Sequence, residues 1–510
     1  MRDTTVRRWL AGLGATGMLV AVASPASAQA PDATLFVKFP NSAVAVDHDG
    51  TVQAPELGAS KQVELQQVKV TYDLSGLTGK VTVKEAHGND YCTPTGNTLV
   101  CELPYPLGLD EYGTEAHFEV ELAAHEDAEV GDEGTLKVSF GAEGYETVSH
   151  QAKIRVAEGV DLVGGPEDEV SVRPGATFDG PVTVINAGEK PAQGVAADFD
   201  LDRSLSATQR FSNCLYRDDI LESCVFDDVL EPGGTYTALL PFTLRTDTFA
   251  PGSFYNSVRW MTQADFEDRT AQARVAGTKG TAGKLALTKV NNVSRKGGQT
   301  DVDPENDTSG FIVKATGDNG ADLVSLGDTV TGEVGDVVTA TLGALNEGPA
   351  TLDSTRGGGP VTNIYFNVPA GTTVVAVPEG CNPLLPDGGG DGENPGAPGA
   401  AAYHCYTKSL LVKDERQTFE FKLRIDEVIA NASGKVEINV DCRCEGRTSD
   451  LDASNDVAQI LVNPTEGGGG GGLPVTGAST GIVAGAGILL LAAGAFGFVL
   501  ARRRRTRFVV

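Results

Sequence analysis

This chain has little of what enzyme chemistry is usually built from. Its six histidines (His48, His87, His117, His125, His150 and His404) are scattered over 510 residues, and no Cys-x-x-Cys pair occurs. Clustered Cys and His ligands for a transition metal therefore have little to build on. There is no HExxH and no complete phosphate-binding GxxxxGK[ST]. The GxSxG match at Gly477-Ala478-Ser479-Thr480-Gly481 lacks the strand-to-helix turn that would expose a nucleophile. The glycine run Gly467 to Gly472 satisfies GxGxxG formally, but it opens no βαβ unit and reads as a linker. In so acidic a chain a carboxylate pair for glycoside hydrolysis could stand anywhere, and no pair is singled out. Basic residues are also short, with 40 Lys and Arg against 69 Asp and Glu, a net charge of −29. A surface of that sign repels nucleic acid and anionic membranes. No cofactor, no enzymatic activity and no nucleic-acid partner are expected.

Helical patterns are almost absent before the C-terminal end. Alternating strands are abundant instead. Phe419, Phe421, Leu423 and Ile425 face one way while Glu420, Lys422 and Arg424 face the other. Tyr236, Ala238, Leu240, Phe242 and Leu244 repeat the pattern, as do Phe118, Val120 and Leu122 against His117, Glu119 and Glu121. A period of two means one face in a core and one in water. Trp260 shares a face with Val258 and reads as a core aromatic.

Parts of the chain repeat. Gly159-Val160-Asp161-Leu162-Val163 matches Gly320-Ala321-Asp322-Leu323-Val324. Each is followed by an acidic stretch, a glycine (Gly175, Gly335) and a strand ending in an Asn–Gly turn, Asn186-Ala187-Gly188 or Asn346-Glu347-Gly348. A closing block also recurs: Asp301-x-Asp303-x-x-Asn306-Asp307 before Phe311-Ile312-Val313, and Asp450-x-Asp452-x-x-Asn455-Asp456 before Ile460-Leu461-Val462. Short strands punctuated by Gly, Asn, Asp and Pro predict all-β tandem sandwiches at 31–157, 158–318 and 319–464, the first the most divergent.

The two ends read as processing signals. Arg2, Arg7 and Arg8 precede the apolar stretch Leu10 to Val22 and Ala26-Ser27-Ala28, which predicts a signal peptide over 1–28, cut after Ala28. At the other end an apolar run, 482–501, is long enough to cross a bilayer. Arg502 to Arg505 and Arg507 follow it, which would keep the tail cytoplasmic. Just ahead stands Leu473-Pro474-Val475-Thr476-Gly477, after a glycine linker at 465–472. Removing both ends leaves 32 basic and 68 acidic residues.

Motif, apolar run and arginine tail over 473–510 together resemble the sorting signal of LPXTG cell-wall-anchored proteins of Gram-positive bacteria. The resemblance implies that a sortase thiolate attacks the Thr476 carbonyl, releases Gly477 onward and passes Thr476 to a peptidoglycan amine. Sortase and peptidoglycan are then the partners, and the membrane holds the chain only before sorting. Val368-Pro369-Ala370-Gly371-Thr372-Thr373-Val374, Cys381, Tyr403-His404-Cys405 and Asn346-Glu347-Gly348-Pro349 resemble bacterial conserved-repeat Ig-like domains of surface proteins. That resemblance implies Ig-like sandwiches and a structural or adhesive role toward an extracellular ligand that the sequence does not name. The alternatives are a wall-attached polysaccharide-acting enzyme or scaffold, and a protein left in the membrane.

Eight cysteines in an exported chain favour disulfides. The expected pairs are Cys92–Cys101, Cys214–Cys224 and Cys381–Cys405, one per sandwich at the same place in the repeat. Cys442 and Cys444 pair with each other or exchange with Cys381 and Cys405. The acidic blocks fail the EF-hand pattern, since its Gly and Glu positions hold Asn306 and Ile312, or Asn455 and Leu461. Asx-type turns are the expected role of these blocks, with Asp301, Asp303, Asp450 and Asp452 kept as candidates for a calcium site at a domain junction. Pro386 to Gly399 reads as a surface loop. The tether Gly467 to Gly472 reaches only about 12–15 Å, which places the third sandwich against the wall and the first outermost.

Overall fold

The computed structural model describes residues 33–465, apart from 47, 89–90, 115–116, 273–276, 290–298, 386–389, 393 and 440–449. The described chain is all-β, organised as tandem Ig-like sandwiches around three separate hydrophobic cores. Among the described residues no helix is long and apolar enough to cross a membrane; 482–501 lies outside them. The chain divides into two compact units, Met1–Gly159 with Glu267–Ala273, and Val160–Phe266 with Arg274–Val510. The second unit contains two sandwiches, Val160 to Asn319 and Leu323 to Val462, separated by three residues.

The third sandwich shows the plan most plainly. One sheet runs in the order Leu323–Leu326, Val337–Asn346, Arg416–Ile425, Thr372–Ala376. The other runs Asp328–Val330, Val457–Val462, Ala432–Ile438, Asn363–Asn367, Ala402–Tyr406, Cys381–Pro383. Asp328–Val330 pairs in parallel with the last strand, so the first strand of the domain splits between both sheets. The alternating strand 416–425 sends Phe419, Phe421, Leu423 and Ile425 into the core. There Phe421 packs against Phe366 and Tyr403, with ring centroids 5.0 and 5.2 Å away.

The second sandwich repeats this order, with Asp168–Val172 parallel to Thr308–Asn319, and adds Thr278–Lys279 beside Cys214–Arg217 and Thr288–Lys289 beside Thr235–Leu244. Trp260 is fully buried, its ring 6.0 Å from Phe226, and its indole N–H donates to Ser309 Oγ at 3.3 Å. In the first sandwich the larger sheet is the same, with Ser42–Ala45 parallel to Val148–Val160. The facing sheet is broken into two- and three-stranded pieces. In all three, the chain crosses to the facing sheet after the strand that pairs the penultimate one. It then returns as a hairpin, at the sheet edge in the first and third sandwiches, before crossing again.

Two sequence expectations need correction. Phe118 is buried but lies outside the strand Val120–Ala124, with a left-handed φ of 65°. The alternation therefore continues two residues beyond the ladder. The cause is a tertiary bond: the buried Tyr72 hydroxyl donates to the Phe118 carbonyl at 2.5 Å. Second, a helix, α1 (Gln263–Gln272), follows the strand that carries Trp260. Its start is capped reciprocally, since Asp265 N–H donates to Thr262 Oγ1 at 3.1 Å and Thr262 Oγ1 donates to Asp265 Oδ2 at 2.8 Å. Thr-x-x-Asp at 262–265 is a variant of the capping-box signature.

Candidate functional site

The structure brings Cys92 to Cys101, Cys214 to Cys224 and Cys381 to Cys405 as disulfides. Each joins directly facing residues of the returning hairpin, with Cα atoms 3.9, 4.0 and 4.0 Å apart. In the first and third sandwiches the hairpin is the outermost part of its sheet, and in the second Thr278–Lys279 pairs outside it; in each the covalent bond ties the hairpin's two strands together. Cys442 and Cys444 lie outside the described residues, as do Ala28 with the signal peptide and Leu473, Pro474, Val475, Thr476 and Gly477. Of the Pro386 to Gly399 loop, the described part is tied down. Tyr403 Oη donates to the Ala397 carbonyl and accepts from Ala400 N–H, at 3.2 and 3.0 Å.

The Asn–Gly turns form a buried joint. Asn346 is fully buried; its amide donates to the carbonyls of Ala350 and Leu411 at 2.8 and 3.0 Å, and its Oδ1 accepts from Gly348 N–H at 3.2 Å. Asn186 makes the same set with Lys190, Leu230 and Gly188. The opening strand docks here, with Glu347 N–H on the Asp322 carbonyl and Ala187 N–H on that of Asp161. A Cβ at Gly348 would stand 2.1 Å from Asp322 N, so only glycine admits this approach.

The acidic blocks close the same end of each sandwich. Asp301 Oδ1 accepts from Asp303 N–H at 3.2 Å and Leu162 N–H at 3.4 Å. Asp450 accepts from Asp452 N–H on Oδ1 and from Leu323 N–H on Oδ2, both at 3.2 Å. These are Asx turns that also pin the opening strand to the last one. The electrostatics of the two copies then diverge. In the third sandwich Asn439 donates to both Asp450 Oδ2 and Asp456 Oδ1, each at 2.7 Å. Burial and the neighbouring Asp450 still push Asp456 up to about 6, and burial also raises Asp450. On the surface, the Ser454 hydroxyl and N–H hold Asp452 below the usual carboxylate range.

The backbone N–H of Trp260 in the second sandwich and that of Ile438 in the third play equivalent parts, donating to the Asp307 and Asp456 carbonyls. Met261 therefore stands where Asn439 does, and it offers no amide. Asp301 is 6% exposed, and its Oδ2 has no partner. Burial first, then the charges of Asp307 and Asp265, push its carboxyl up to about 8. A carboxyl in that state is mostly protonated at neutral pH. Among the described residues no three His, Cys, Asp or Glu side chains are placed to hold a metal ion, and that holds for Asp301, Asp303, Asp450 and Asp452.

No family model matches the chain, and no curated protein does. Among solved structures it is similar to a candidate membrane anchored protein of Corynebacterium diphtheriae, at 12% identity over 86% of this chain and 92% of that one, TM-score 0.17. It is also similar to the C-terminal domain of the AgI/II polypeptide BspA of Streptococcus agalactiae, at 11% identity over 60% of this chain and 99% of that one, TM-score 0.16. A third is the I9–I11 tandem of titin, at 9% identity over 84% of this chain and 99% of that one, TM-score 0.15. Likenesses of this degree carry no argument; the fold stands on the chain's own sheets.

Proposed function

We propose that this chain is a non-enzymatic surface protein of a Gram-positive bacterium, joined through Thr476 to peptidoglycan by a sortase, with a structural or adhesive role. The observation that carries the reading is the order of Leu473-Pro474-Val475-Thr476-Gly477, the apolar run 482–501 and the arginines behind it. Pro474 disfavours helix and keeps the motif extended for an enzyme cleft to read. Three disulfides support an oxidising, extracellular setting. Tandem sandwiches suit display, because each has its own core and presents loops at its ends.

Muramidase digestion of intact cells tests the proposal. Sorted molecules become soluble, end at Thr476 and carry peptidoglycan fragments by mass spectrometry. Mature molecules that still end in Val510 and stay with the membrane fraction would overturn it.

A further inference from the structure

A cleft of about 610 Å³ opens where the second sandwich meets the third. That volume is typical of small-molecule sites, which favour seams between domains. Direct bonds set its walls. Thr351 gives its N–H to the Asp247 carbonyl and its hydroxyl to Asp247 Oδ2, both at 2.7 Å. Burial raises the Asp247 carboxyl, but the Thr351 and Arg245 bonds outweigh this and hold it below the usual range. Arg356 crosses from the third sandwich to Asp200 Oδ1 at 2.5 Å and to the Tyr255 carbonyl.

The wall chemistry narrows the ligand. Five carboxylates line the cleft (Asp202, Asp218, Asp219, Asp247 and Asp353) against three guanidiniums. Each guanidinium already faces a carboxylate: Arg203 with Asp353 at 3.9 Å, Arg245 with Asp247 at 3.1 Å, and Arg356 with Asp200. Among the described residues of the cleft no positive charge is left over for a phosphate or carboxylate ligand. Two buried hydroxyls of lining residues, Ser204 Oγ and Thr248 Oγ1, have no partner. Tyr255 is 58% exposed on a strand that faces Ile312 of its neighbour at that position, and its carbonyl accepts from Arg356, so what it offers the cleft is its ring.

Acceptors, donors and an uncommitted aromatic in one cleft suit a ring that is polar at its rim and apolar on its faces. We infer that the seam cleft binds a neutral oligosaccharide, with Tyr255 stacking on one sugar ring and Asp219 accepting from its hydroxyls. The site gives the adhesive reading a ligand class and rests on that reading for its cellular meaning.

The test uses the full-length chain in a sugar-free zwitterionic detergent. Maltotriose, cellotriose and mannotriose are titrated to about 10 mM by saturation-transfer NMR and calorimetry. At least one should bind, and Tyr255→Ala should weaken it roughly tenfold or more. That variant leaves the seam intact, because Arg356 bonds the Tyr255 backbone carbonyl. Asp219→Asn should weaken binding severalfold. Tyr112→Ala, removing a ring 82% exposed in the first sandwich, should change nothing. Absence of binding by all three sugars, unchanged affinity in Tyr255→Ala, or preference for a sialylated trisaccharide would each overturn the site. Wall linkage is read on cells and sugar binding on purified protein, so either can fail while the other stands.

Discussion

Replacing Asp301 by Asn should make the second sandwich more stable at alkaline pH and leave it nearly unchanged at acid pH. The carboxyl sits at about 8 in the folded chain against an ordinary value of 3.8. The native state therefore holds a proton that the unfolded state gives up. The contribution of that proton to stability is complete below pH 4 and is lost as pH rises through 8. Each tenfold difference in proton affinity between the two states corresponds to about 1.4 kcal/mol, so the ceiling on the loss between pH 5 and pH 8 is about 4 kcal/mol. Water entry and local relaxation reduce that, and a gap of about 2 kcal/mol is expected. Asn keeps an acceptor for Leu162 and Asp303 N–H and places an amide donor near the carboxylates of Asp265 and Asp307. The sandwich has its own reporter in Trp260, once Trp9 is changed to Phe to silence the only other tryptophan. Urea unfolding followed by Trp260 fluorescence at pH 5, 7 and 9 compares the Asp301→Asn variant with its parent without averaging over three domains. A gap that stays constant across this range would refute the argument, since it widens only if the folded chain keeps a proton that the unfolded chain releases.

Two further outcomes follow from the repeat. Asn346→Ala strands the carbonyls of Ala350 and Leu411 and the N–H of Gly348 in a buried joint; a loss of about 3 kcal/mol is expected by denaturant unfolding, and a loss under about 1 kcal/mol would count against the joint. Removing the Cys381–Cys405 staple with paired alanines should cost about 3.5 kcal/mol, against about 2.7 for Cys92–Cys101, because the closed loop is 24 residues in separation and not 9. Equal losses, or the reverse order, would show that loop closure is not what these bonds contribute.

The sandwiches were legible because their strands have one wet face. Phe419 to Ile425 alternate without a break and Tyr236 to Leu244 do so except at the exposed Leu239, and every inward-facing apolar residue of both is buried. The staples were legible because the cysteines stand at the same place in each repeat, opposite each other on one hairpin. Phe118 was not, since a bond from Tyr72, 46 residues away in sequence, sets its backbone. Nor was α1, whose polar sequence gives no apolar stripe and whose capping pair occupies only four positions. The seam cleft was beyond reach altogether. Its walls draw on stretches from Asp202 to Val412 that periodicity places in separate domains.

The acidic blocks show most sharply where local reading stops. Asp301 and Asp450 head the same seven-residue pattern, make the same Asx turn and receive an N–H from the same position of the opening strand. Turn chemistry depends on the few residues around it, and it repeats. Charge state depends on whatever lies within a few ångströms through space. There one copy meets the Asn439 amide and the other finds Met261 at the corresponding place. The cost of burying a charge is then greatest at Asp301, and the proton it keeps is a property of the packed sandwich. A sequence repeat can thus keep its shape between two domains and still split in electrostatics, through a neighbour some forty residues upstream of the motif in one copy and eleven in the other.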